Sequence, residues 1–133
     1  MQQEALWSHE MILAADVGSA ARTRAFVLQH LVDHRLLYLV DEVRLVASEL
    51  ATNAVVHAQS PFTVTLEGRQ GSVLLTVRDG SQTSRSHSRA GLQEEDLTGL
   101  GLVVVNLLSQ TWGEDDATGS VWARFELRSP AAS

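Results

Sequence analysis

The sequence predicts an α/β domain in which helices cover one face of antiparallel strands. Two stretches, about residues 17–34 and 41–58, carry apolar residues at helical spacing. The segment from Phe62 to Val77 alternates apolar and polar residues on either side of Arg69-Gln70-Gly71, the pattern of a hairpin with one buried face. A second alternating pair, Thr111 to Gly113 and Gly119 to Arg128, flanks the turn-rich Asp115-Asp116-Ala117-Thr118-Gly119.

Taken in order, Glu10 to Ala15 reads as a short apolar strand and Asp16 as a helix N-cap. Ala20, Ala21, Phe26, Val27, Leu28, Leu31 and Val32 mark the buried side of a first helix, with Arg22 and Arg24 opposite. Asp41 and Glu42 put negative charge where a helix N-terminus favours it, and Val43, Leu45, Val46, Leu50, Ala54 and Val55 continue a second helix to Ala58. Pro61 stops it, because proline lacks the N–H that the helix requires and biases Ser60 toward extended geometry. After the hairpin, about residues 81–98 are polar and aperiodic. A loop of that length in a compact domain is more often a lid or binding loop than a connector. Leu102 to Ser109 reads as a short apolar helix, and the tail from Ser129 as disordered. The chain is expected to be one domain over residues 1–133, with an ordered core of about 10–128.

Composition narrows the function. At 133 residues, folding buries roughly two-thirds of the unfolded surface, enough for a self-sufficient core. There is no cysteine, which removes thiol nucleophiles, disulfides and Cys-based zinc sites and fits a reducing compartment. Apolar runs such as Leu36 to Val40 fall far short of the ~20 residues that span a bilayer, and no secretory signal opens the chain. The expectation is a soluble cytoplasmic protein with no membrane association. A net charge of -6, with no lysine and ten scattered arginines, argues against direct nucleic-acid binding. An anionic small ligand would need local compensation from a metal ion, backbone N–H groups or a few placed arginines.

The chemistry concentrates in Glu49, Asn53 and His57. Their spacing of four places all three on one helical face, as a polar stripe in an otherwise apolar helix. A solvated helix face or a satisfied polar network would account for any one of them; a carboxylate, an amide and an imidazole in one stripe point further. Asn is a poor zinc ligand and no paired-His motif is present. Carboxylate and amide oxygens suit Mg2+, which keeps several waters and takes few protein ligands. Asp79-Gly80 is a common turn dipeptide, yet no alternating strand follows it, so it opens the long loop. An aspartate at a strand end can accept a hydrogen bond from an exocyclic amine and reject a carbonyl. Gly99-Leu100-Gly101 is by itself a weak two-glycine signal. Placed before a helix, it brings backbone N–H groups and about half a positive charge close to an anion.

These segments, in this order, resemble a known family. Ser48-Glu49-Leu50-Ala51-Thr52-Asn53-Ala54-Val55-Val56-His57-Ala58, Val77-Arg78-Asp79-Gly80 and Thr98-Gly99-Leu100-Gly101-Leu102 are similar to the N, G1 and G2 boxes of the GHKL (histidine-kinase-like) ATPases. Within that group the similarity is strongest to bacterial anti-sigma-factor serine/threonine kinases and their short relatives. The resemblance runs from the first helix through the last strand. It implies a two-layer α/β sandwich of the Bergerat type, with a mixed, mainly antiparallel sheet backed by about three helices. Mg-ATP would lie between the N-box helix and the loop at about 81–98.

Carried over by position, the resemblance makes Asn53 the Mg2+ ligand and Glu49 the catalytic base. Asp79 would bond the adenine amine with Gly80 beside it, and Gly99 and Gly101 would cradle the phosphates. Thr98, Leu100 and Leu102 complete that nucleotide-binding segment, and His57 would make a polar contact near the phosphates. Ser81 and Thr83 stand where the family's G1 pattern usually has glycines, and Arg85 and Arg89 are the only cations of the presumptive lid.

Two functions follow as expectations. One is an ATP-dependent kinase that phosphorylates an anti-sigma-factor antagonist, binds a sigma factor and, as the resemblance implies, forms a homodimer. The other is a non-catalytic nucleotide-binding module that sequesters a partner. A sensor histidine kinase fits less well, since no phosphoacceptor helix pair precedes the first helix.

Overall fold

The computed structural model describes residues 4–79, 100–115 and 117–128. Five strands form one sheet: β1 (Trp7–Leu13), β2 (Phe62–Arg69), β3 (Ser72–Asp79), β4 (Thr111–Asp115) and β5 (Ser120–Glu126). Their spatial order is β1-β2-β3-β5-β4, and all four pairings are antiparallel. Three helices, α1 (Ser19–Asp33), α2 (Val40–Asn53) and α3 (Leu100–Leu108), complete a two-layer α/β sandwich. Among the described residues every pairing is antiparallel, where a mixed, mainly antiparallel sheet was expected: β5 folds back beside β3 and leaves β4 at the edge. None of the described helices is long and apolar enough to cross a membrane.

Alternation along each strand fixes the register, since a slip of one residue would turn the apolar set to water. Phe62, Val64 and Leu66 of β2, Val73, Leu75 and Val77 of β3, and Val121, Ala123 and Phe125 of β5 all point to the helical layer and are buried. From the other side come Phe26, Val27 and Leu31 of α1, Val43, Val46 and Leu50 of α2, and Val105 of α3. Each of the Val, Leu and Phe side chains contributes roughly 1.5–3 kcal/mol when fully buried. Gln70-Gly71 joins β2 to β3 in a two-residue turn, where the positive φ of Gly71 (83°) is glycine's natural territory.

Several boundaries differ from the sequence expectation. β1 begins at Trp7 rather than Glu10, because the register Trp7↔Gly68 through Leu13↔Phe62 uses β2 as its template from Phe62 to Gly68. Asp16 lies two residues before the N-cap, which is Gly18. Its carboxylate reaches forward instead, accepting from the Gly18 N–H at 3.0 Å and from Arg22 at 2.9 Å. These contacts hold it below the usual carboxylate range, with the Gly18 hydrogen bond the largest cause. α1 ends with Arg35 in the left-handed region (φ 63°), so that the Leu36 N–H bonds the Leu31 carbonyl at 2.8 Å. α3 starts at Leu100, two residues before the expected Leu102. The long polar segment at about 81–98 and the tail from Ser129 lie outside the described residues.

Candidate functional site

The predicted site residues fall on three elements whose adjacency only the fold reveals. On α2, the buried residues Val46, Ala47, Leu50 and Ala51 face the core, and Glu49 and Asn53 sit half-buried at the edge of that apolar face. This border position suits chemistry: a polar group keeps access to a ligand while its neighbours exclude part of the solvent. α2 is braced from behind by α1, where Arg24 Nη1 donates to Ser48 Oγ at 2.9 Å.

After Asn53 the helix changes its winding. Ala54–Ala58 form a π turn, closed by the Gln59 N–H donating to the Ala54 carbonyl at 3.2 Å, and Gln59 then takes a left-handed φ of 55°. A π turn holds more residues per revolution than an α turn, so the four residues from Asn53 to His57 no longer complete the turn that the sequence spacing assumed. Glu49 and Asn53 remain an i, i+4 pair within regular α-helix, whereas His57 belongs to the wider turn and is exposed. Turns of this kind occur often at functional sites.

Asp79 is the last residue of β3 and is only 4% exposed. It follows Val73, Leu75 and Val77 in the period-2 pattern, so its side chain points to the helical side of the sheet. Its backbone is pinned by pairing with Phe62 and by its N–H donating to the Gly119 carbonyl at 3.1 Å. A carboxylate at so buried a position is uncommon and is stable only with polar partners. β3 packs against α2 and the π turn, and α3 packs against α2. The backbone of Leu100, Gly101 and Leu102 forms the first turn of α3, where the amide groups have no helical acceptor. Gly80, Thr98 and Gly99 lie outside the described residues.

The opposite sheet face holds a shallow hollow of about 290 Å³, lined by Leu74, Thr76, Asp115, Ser120, Trp122 and Arg124. It contains none of the predicted site residues. Among the described residues, no three His, Asp or Glu are grouped to hold a metal by themselves. Sequence reasoning missed an imidazole cluster at the far end of α1. His30 and His34 show the i, i+4 spacing that signals one half of it, but the third member, His9, comes from β1 and is brought in only by the fold.

A polar pair at the edge of α2, a buried aspartate ending β3 and the N-terminus of α3 are the described places on which the sequence expectation puts the nucleotide. The match to the histidine kinase-like ATPase domain covers residues 13–124, from the end of β1 into β5, and the chain belongs to that family. It is therefore an ATP-binding module of the GHKL type. No curated protein matches the chain.

Proposed function

We propose that this chain is an ATP-dependent protein serine/threonine kinase of the anti-sigma-factor type, acting in the cytoplasm by partner switching. Its substrate is the anti-sigma-factor antagonist, its second partner a sigma factor, and its working unit a homodimer. The observation that carries the reading is Glu49, half-buried one α-helical turn before Asn53. A module that only binds nucleotide has little use for a carboxylate there, because it repels phosphate. A kinase needs one to take the proton from the attacking hydroxyl.

The donor set fits Mg-ATP. Asn53 offers one amide oxygen, in keeping with an ion that takes few protein ligands and fills its shell from water and phosphate. When bound, Mg2+ supplies charge neutralisation between phosphate oxygens. Asp79, desolvated at the end of β3, accepts from the adenine amine, and the first turn of α3 offers Gly101 and its neighbours to the phosphates. With the nucleotide held, Glu49 accepts the serine proton as the hydroxyl oxygen bonds to the γ-phosphorus and the bond to the β-phosphate oxygen breaks, releasing ADP.

The second reading, a sequestering module without chemistry, is favoured by Ser81 and Thr83 in place of the family's usual glycines. The deciding experiment pairs calorimetry with Mg-ATP, Mg-ADP and Mg-GTP with transfer of labelled γ-phosphate to a serine-bearing antagonist. Glu49→Gln keeps size and hydrogen bonding, so it is expected to leave ATP affinity near its original value while transfer falls ~100- to 10,000-fold. Transfer that survives the substitution removes Glu49 from the mechanism. Good ATP binding with no transfer by the unaltered chain selects the sequestering module.

A further inference from the structure

Four rings interlock where β1 meets the end of α1, away from the nucleotide site. Trp7 and His34 stack face to face with centroids 3.8 Å apart and planes 7° from parallel. His9 stacks on His30 in the same way, at 3.8 Å and 10°. The two stacks are joined by a hydrogen bond between the Nε2 atoms of His9 and His34 at 2.8 Å, and Phe26 meets His30 edge-on. Trp7 lies flat on Gly68, where an added Cβ would come within 2.2 Å of the indole. We propose that this cluster is an acid-released latch, which holds the edge strand β1 to α1 while its imidazoles carry at most one charge and lets go when a second proton arrives.

The proton count follows from the geometry. A hydrogen bond between two Nε2 atoms holds one proton, so one of the two rings must present a lone pair. The His9–His34 pair therefore accommodates one positive charge and breaks at two. The face-to-face stack of His9 on His30 likewise cannot hold two cations at that separation. His30 Nδ1 is buried without a hydrogen-bond partner, so an imidazolium there would leave an N–H with no acceptor.

Among the described residues, few other charges face the cluster. On α1, Asp33 acts on His30 and His34 and favours their charged forms. β2 sets Leu66 and Gly68 opposite His9 and Trp7, while Glu67 points to the other sheet face and bonds Arg69 at 3.1 Å. Glu10 of β1 also lies on that other face, and the connection after α1 offers only the exposed Arg35. Burial outweighs Asp33 and holds His30 and His34 below the ordinary imidazole value, with His9 adding to the effect. For such depressed groups the stabilisation is complete above the ordinary value of about 6.5 and disappears as pH falls through the lower folded-state values. β1 is an edge strand with one neighbour, so its release breaks a single ladder and spares β2-β3-β5-β4.

The test is hydrogen exchange on the intact chain at about pH 7.5 and about pH 5.5, corrected for intrinsic rates. Protection of β1 is expected to fall by about tenfold or more at the lower pH, with β3 unchanged. His9→Phe keeps a ring stacked on His30 and removes the member common to both charge-limited pairs, and is expected to make β1 protection nearly independent of pH. Parallel loss from β1 and β3, or an undiminished acid response in His9→Phe, overturns the latch. Imidazole C2-proton NMR on the unaltered chain tests it even if that variant does not fold. One ring is expected to titrate clearly before the other two, and three independent titrations near the ordinary value refute the proposal.

Discussion

Asp79 gives the sharpest test of the adenine side of the site. The change is Asp79→Asn, which preserves shape and the backbone contacts to Phe62 and Gly119 while replacing a charged acceptor by a neutral amide. At 4% exposure the carboxylate is almost wholly desolvated, so a hydrogen bond it accepts from the adenine amine belongs in the range for charged partners, about 1.5–3 kcal/mol. At 1.4 kcal/mol per decade this is about a 10- to 100-fold loss in ATP affinity. An amide can turn its NH2 toward a carbonyl, so GTP should lose less or even gain. The unaltered chain is expected to prefer ATP and the variant to lose most of that preference. Competition calorimetry with both nucleotides measures the ratio, and a thermal melt shows whether the variant is folded. A folded variant with an unchanged ATP-to-GTP ratio would remove Asp79 from base recognition.

Two further substitutions probe the metal ligand and the aromatic packing. Asn53→Ala removes the one amide oxygen offered to Mg2+ and leaves α2 intact, since alanine is the better helix former; nucleotide binding should lose its dependence on added Mg2+, and an unchanged Mg2+ response in calorimetry would exclude the role. Gly68→Ala drives a methyl group to 2.2 Å from the Trp7 indole, which must leave its stack on His34; urea denaturation should show a loss of about 1–3 kcal/mol and indole emission should shift to the red, and a variant with unaltered stability and emission would contradict the packing.

Local patterns made most of the fold legible in the sequence, because alternation and helical spacing record which side of each element is buried. The β2–β3 hairpin and the closing strands are written in this way, and the buried set Val64, Leu66, Val73, Leu75 and Val77 follows the alternation without exception; on α1, Phe26, Val27 and Leu31 are buried as the spacing predicts, whereas Leu28 and Val32 are exposed. Long-range pairing was not legible. Trp7, Ser8 and His9 show no apolar run, and become strand because β2 offers an open ladder beside them. That β5 lies between β3 and β4 is a property of the return path, which periodicity does not record.

For the site, spacing served as long as the backbone kept to the α-helical repeat. Glu49 and Asn53 lie within regular α2 and share the edge that their separation predicts. The same spacing from Asn53 to His57 crosses into the π turn, where helical arithmetic loses its basis, and His57 is exposed. The cause is the exit from the helix, since the chain must stop before Pro61 and enter β2 at Phe62. The helix accommodates this exit with one wide turn and the left-handed Gln59. The consequence is that the metal and base residues of the proposed site sit on a regular α-helical segment that Arg24 of α1 contacts at Ser48, whereas His57 sits on the segment that joins the helix to the strand. A group held on regular helix can keep the sub-ångström placement that phosphoryl transfer requires, and a group on the adjoining turn is better suited to a contact that adjusts as nucleotide enters and leaves.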